Sequence, residues 1–155
     1  MLRKKAKAVK RVTPEITQLI ADMAETMYAA PGVGLAAPQV GRNLRVIIVD
    51  IGQGLLEMVN PKLISKEGNE IGEEGCLSVP GVCGYVERSF KIKVKGLGKS
   101  GEQKEIDADG FLARAIQHEM DHLEGILFID KLVPMEQVEA KKEKDIVDSE
   151  ECKSI

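Results

Sequence analysis

Apolar positions recur at helical spacing in two stretches of the chain and at strand spacing between them. Ile16, Leu19, Ile20, Met23 and Met27 fall at i, i+3 and i+4 intervals, the pattern of one buried helix face. Thr13 stands at the N-cap of this helix, Pro14 suits its first turn, and Pro31-Gly32 ends it near Ala30. Gly32 to Gly41 then reads as a glycine-bearing loop, and Arg45 to Asp50 as a strand covered on both faces. Glu57–Asn60 and Lys62–Lys66 predict two short strands divided by Pro61, followed by a polar, Gly-rich loop from Gly68 to Gly75. Val86, Phe90, Ile92 and Val94 place apolar side chains on even positions, which predicts a single half-buried strand. A turn over Gly96–Gly101 leads into a polar strand, Glu102 to Asp107, so that the pair forms a hairpin. Asp109 caps a second helix that runs from Gly110 to about Glu124 and stops at Gly125. Ile126 to Ile129 predicts a returning strand, and the charged stretch beyond Pro134 predicts a surface helix that frays after about residue 147. Helix, several strands, helix is not an alternating βαβ order. It predicts an α+β domain with a mostly antiparallel or mixed β-sheet.

Composition narrows the function classes. At 155 residues, without an internal repeat or a linker tract, the chain is expected to form one domain. A net charge of −3 and 3% aromatic residues argue against nucleic-acid recognition, which needs basic surface or stacking platforms. No apolar run approaches the roughly 18 residues of a membrane span. The basic start Met1-Leu2-Arg3-Lys4-Lys5 leads into further charge rather than an apolar stretch, unlike a secretory signal. Three cysteines cannot all pair, so reduced thiols and a cytoplasmic location are expected. Cys83 is expected to be packed, and Cys152 lies in a polar tail.

The chemistry concentrates in the second helix. The chain has two histidines, His118 and His122, in Gln117-His118-Glu119-Met120-Asp121-His122. Positions i and i+4 project from one face a turn apart, so both imidazoles can reach one ion. Glu119 follows the first of them, the H-E-x-x-H arrangement in which the carboxylate serves as general base toward water at a metal. Two ligands do not hold a catalytic ion. No third histidine exists, and Glu124 lies near the helix end, turned off the ligand face. Cys76, in Glu74-Gly75-Cys76-Leu77-Ser78, is either the third ligand or a small buried hydrophobe. In Gly32-Val33-Gly34-Leu35-Ala36-Ala37-Pro38-Gln39 the glycines permit close approach of a ligand, and Gln39 offers an amide NH2 to a developing oxyanion. The same stretch also reads as an ordinary turn.

Taken together, Gly32 to Gln39, Glu74 to Ser78 and His118 to His122 resemble the three ordered signature motifs of the bacterial peptide deformylases, and the likeness extends from about Leu2 to Val133. The resemblance implies a sheet packed around a central helix that carries H-E-x-x-H, in a single catalytic domain with a charged C-terminal segment from about residue 134. It implies Cys76, His118 and His122 as metal ligands, Glu119 as catalytic acid/base, and Gln39 with the Leu77 N–H as oxyanion donors. Gly34 and Gly75 would bind the substrate main chain, and Val33, Glu74, Phe111, Arg114 and Ala115 would surround a methionine side chain. The implied substrate is the N-formylmethionyl end of nascent polypeptides, with formate released and a transient contact with the ribosome. The implied cofactor is one divalent ion, natively Fe(II), with Zn, Ni or Co as alternatives; a thiolate with two imidazoles suits these and not Mg or Ca. Family members usually carry an N-terminal strand before the segment matching Leu2–Ala6, and here that strand is expected to be missing. Three rival readings are a zincin-like peptidase, a metal-binding relative without activity, and a Cys76–Cys83 redox pair.

Overall fold

A computed structural model describes residues 2–134, 136 and 155. Helix α1, Pro14–Ala29, buries the predicted face Ile16, Leu19, Ile20, Met23 and Met27. Thr13 occupies its N-cap through its backbone, whose carbonyl accepts from the Ile16 and Thr17 N–H groups, and makes no side-chain cap. Strands β1 (Gly34–Ala36), β2 (Val46–Val49) and β3 (Leu56–Glu67) follow. Then come β4 (Glu70–Cys76), β5 (Val79–Arg88), β6 (Lys91–Leu97), β7 (Gln103–Asp109) and helix α2 (Gly110–Leu123).

Five strands form an antiparallel sheet in the order β1-β2-β3-β6-β7, and β4 pairs with β5 in a separate two-stranded sheet. Because successive side chains of a strand point to opposite faces, β2 serves two cores at once. Ile47 and Val49 pack with Ala113, Ile116 and Leu123 of α2. Val46 and Ile48 pack with Leu19, Ile20, Met23 and Met27 of α1. Among the described residues the architecture is thus α+β, with antiparallel sheets and two α-helices.

Several local expectations are corrected. The two strands around Pro61 are one strand, β3, whose register shifts between Val59 and Lys62. Pro61 sits in this bulge, where no ladder N–H is required, and Asn60 before it adopts φ +53°. The Gly-rich stretch 68–75 is mostly strand β4, turned only at Gly68 (φ +69°). The run from Val86 to Val94 breaks after Arg88 into β5 and β6, which belong to different sheets, and Phe90 in the break is 45% exposed. Residues 128–131 form a 3-10 turn rather than a strand, closed by the Asp130 carboxylate accepting from the Leu127 N–H at 3.0 Å. The loop 32–41 also holds more structure than expected: β1 and a 3-10 turn over Ala37–Val40. Apart from residues 136 and 155, the helix expected beyond Pro134 lies outside the described residues, as does Cys152. Cys83 is exposed on β5, so the expected packing fails there; Cys76 is a free, buried thiol.

Candidate metal centre

Three segments converge on one face of α2. The helix ends in a Schellman arrangement at Gly125 (φ +76°), with the Gly125 N–H donating to His122 O and Ile126 N–H to Asp121 O. One turn apart along the helix stand Arg114, His118 and His122, all buried. Cys76 ends β4, where the two-residue turn Leu77–Ser78 folds the chain back into β5. Its Sγ lies 3.3 Å from His122 Nε2, and the potential ligand atoms of Cys76, His118 and His122 all fall within 4.8 Å of one another. The thiol packs with Val86 and Phe128 and also faces the imidazole.

Glu74, expected beside a pocket, is completely buried and accepts from four donors. Oε1 accepts from His118 Nδ1 (2.8 Å) and Arg88 Nη2 (2.9 Å). Oε2 accepts from Arg88 Nε (2.9 Å) and Arg114 Nη1 (2.7 Å). Burial alone would raise this carboxyl; the hydrogen bonds and charges of Arg88 and His118 override it and hold it well below the usual range. With His118 Nδ1 bonded to Glu74, Nε2 is left without a hydrogen-bond partner among the described residues. Arg88 extends the network to Asp121, whose carboxylate also pairs with Lys131.

Beside the imidazoles, Glu119 is fully buried, and neither of its oxygens has a hydrogen-bond partner among the described residues. Burial, followed by the charge of Glu74, pushes its pKa well above that of an ordinary carboxyl. Glu119 rests against β1, and a Cβ built on Gly34 would strike its carboxylate. Gln39 is held at both ends of its amide. Its Oε1 accepts from the Ala36 N–H at 2.8 Å, and its Nε2 donates to Ser78 Oγ at 2.9 Å and lies 3.6 Å from Cys76 Sγ. The 32–39 segment meets the Leu77–Ser78 turn a second time at Gly32, where a Cβ would lie 2.6 Å from Leu77 Cδ1.

Val33, Phe111 and Ala115 join one apolar cluster on the α2 side of the sheet. Ile155 belongs to it too, with its N–H donating to Gly75 O at 3.0 Å. Arg114 turns its guanidinium to Glu74 and to the Val86 and Glu70 carbonyls. Sequence reasoning missed Arg88, Asp121 and Ser78. Arg88 left one trace, a charge at an even position in a run whose even positions are otherwise apolar.

The donor set fits a divalent transition-metal ion: a thiol, an imidazole nitrogen without a partner, and a second imidazole within reach. In the metal-free state burial lifts the Cys76 thiol to about 11. Burial, with the charges of His118 and Arg88, lowers His122 to about 3. A neutral imidazole is ready to ligate, whereas the thiol must surrender its proton to an incoming ion.

Comparison with known proteins gives the same answer from the whole chain. The profile of the polypeptide deformylase family matches residues 1–138. A peptide deformylase from Halothermothrix orenii is 59% identical over 135 residues, covering 86% of this chain and 88% of that protein. Its counterpart from Desulfitobacterium hafniense is 53% identical over 131 residues, covering 84% and 87%. The crystal structure of peptide deformylase from Thermotoga maritima superposes with a TM-score of 0.84 at 45% identity, covering 86% of this chain and 91% of that one. A peptide deformylase from Synechococcus elongatus, in complex with actinonin, gives 0.84 at 41% identity over 99% and 85% of the two chains. With sequence, profile and fold in agreement, the chain belongs to the polypeptide deformylase family.

Proposed function

We propose that the protein removes the N-formyl group from N-formylmethionyl peptides, releasing formate, with one divalent ion held by Cys76, His118 and His122. The observation that carries this reading is the approach of Cys76 Sγ to His122 Nε2 beside a His118 Nε2 and a buried Glu119 that have no hydrogen-bond partner among the described residues. Fe(II) is the native ion of this reading, and Zn, Ni or Co are compatible with the same ligands. The ion, when bound, supplies Lewis acidity toward the formyl oxygen and makes water a stronger acid.

The chain's own groups supply the rest. Glu119 accepts a proton from the attacking water, because burial makes its carboxylate a better base than an exposed one. It returns that proton to the departing amine, a poor leaving group until protonated. The Gln39 Nε2–H and the Leu77 N–H donate to the oxyanion of the tetrahedral intermediate. Because both ends of the Gln39 amide are already bonded, the donor is aimed before substrate arrives. Gly34 and Gly75 bind the peptide main chain. Val33, Phe111 and Ala115, with the stems of Glu74 and Arg114, surround the methionine side chain.

In this reading residues 1–155 form one catalytic domain whose sheets surround α2 as the central helix. The segment from about 134 makes any transient contact with the ribosome, and the enzyme works in the cytoplasm. No described helix is long and apolar enough to cross a membrane. The deciding experiment measures formate released from a formyl-Met peptide by anaerobically prepared Fe(II) protein beside a chelator-treated control. Release that depends on the metal is expected. Absence of release with the ion demonstrably bound would overturn the reading.

A further inference from the structure

We propose that Arg114 is a positioning residue for the metal centre: it completes the set of donors that locks Glu74 against His118, and so aims His118 Nε2 at the ion. The inference rests on the assignment of Cys76, His118 and His122 as ligands.

A carboxylate offers about four lone-pair sites on its two oxygens. Glu74 has all four occupied, by Arg88 Nε, Arg88 Nη2, His118 Nδ1 and Arg114 Nη1. Arg88 alone grips both oxygens from the side of β5. It leaves one site on Oε2 open and the carboxylate free to rock toward or away from the imidazole. Arg114 closes that site from the helix that also carries His118, one turn earlier on the same face. Carboxylate and imidazole are then referred to a single rigid element.

The guanidinium is itself anchored. Its Nη1 also donates to Val86 O at 2.9 Å and its Nη2 to Glu70 O at 2.8 Å, one carbonyl from each strand of the hairpin that carries Cys76. A planar fork with fixed donor directions can meet two strands and a carboxylate together; a lysine ammonium cannot hold the same set. The sequence makes room for it at Gly72. A Cβ there would lie 2.9 Å from both Cζ and Nε of Arg114. Gly72 has no positive φ, so space for the guanidinium, rather than backbone conformation, is what its missing side chain provides.

Carboxylates that orient ligating histidines typically alter metal affinity 10–100-fold when disturbed. The test compares the parent protein, Arg114→Met, Arg114→Lys and Gly72→Ala by chelator competition for Co(II) and by the visible spectrum of the Co(II) protein. Each is first checked for folding by circular dichroism. Arg114→Met is expected to weaken Co(II) binding by about tenfold or more and to change the spectrum. Arg114→Lys should recover part of the loss. Gly72→Ala leaves every polar group in place but displaces the guanidinium, and it should move affinity and spectrum in the same direction by less.

A merely structural arginine would lower the melting temperature and leave the folded protein's Co(II) affinity and spectrum unchanged, which would overturn the inference. Should Arg114→Met fail to fold, Gly72→Ala decides: parent-like affinity and spectrum reject the proposal. A parent chain that holds no Co(II) would overturn the ligand assignment, and the inference with it.

Discussion

Glu119 is the residue on which turnover and binding should separate most cleanly. It is buried and makes no hydrogen bond to either imidazole through its own oxygens, so its removal need not empty the site. Glu119→Ala is expected to retain the metal, measured as bound ion per chain, while losing about 10²–10⁴-fold in formate release. Loss of the ion from a folded variant would instead make Glu119 a ligand or its support. Gly34 gives a gentler test of the same group. Adding one methyl there presses on the Glu119 carboxylate, so Gly34→Ala should lower kcat with metal content intact; an unchanged kcat would mean that Glu119 yields freely. The histidines and Glu119 are readable from sequence because i, i+4 on a helix is a local relation. Glu74 is not: its partners lie 14, 40 and 44 positions away, so nothing near it in the chain marks it as the residue that orients His118.

Strands carry the main surprises at the scale of elements, and the reason is what glycine and proline mean in context. Helix α1 was readable because five buried residues keep one period without interruption. In β4 one of the glycines that suggest a loop, Gly72, instead leaves room for a neighbour, the Arg114 guanidinium. At Pro61 the strand bulges instead of stopping, because Asn60 replaces the lost pairing with its side chain. Its Oδ1 accepts from the Val9 N–H and its Nδ2 donates to Val9 O, both at 2.8 Å, so the amide acts as one residue of a neighbouring strand. Asn60→Ala removes both bonds and keeps a left-handed backbone without a side chain to favour it. It should cost about 1–3 kcal/mol, read as a lower urea midpoint with an unchanged slope. A midpoint equal to the parent's would show that the 2–13 segment is held by other contacts. The break between β5 and β6 was invisible for a different reason. Period 2 continues across it while the chain moves from one sheet to the other, and Phe90 spends its apolar position in solvent.

For the whole molecule, stability should depend on the ion and on pH together. In the metal-free protein His122 is held at about 3, below its ordinary 6.5, by burial and by the charges of His118 and Arg88. The unfolded chain takes up that proton near pH 6.5 and the folded chain not until about pH 3. Stability present above pH 6.5 is therefore lost progressively as pH falls toward 3. Chelator-treated protein should melt at a lower temperature at pH 5 than at pH 7, and His122→Asn should narrow that difference. Equal drops in both proteins would place the acid sensitivity elsewhere. Restoring a divalent ion should stabilise the folded state by mass action, by about 4 kcal/mol at a thousandfold excess over Kd, and so raise the melting temperature.

The Glu74–Arg88 pair bears on how the chain acquires this site during synthesis. Both residues belong to the β4–β5 hairpin and are only 14 positions apart, whereas His118 and Arg114 emerge some thirty residues after the hairpin is finished. When the hairpin closes, its acidic group already has a partner made in the same stretch of chain. It can wait for α2 without exposing an uncompensated charge to a half-built interior. Helix α2 then meets a prepared receptor, and the assembly of the site becomes a docking step rather than a search.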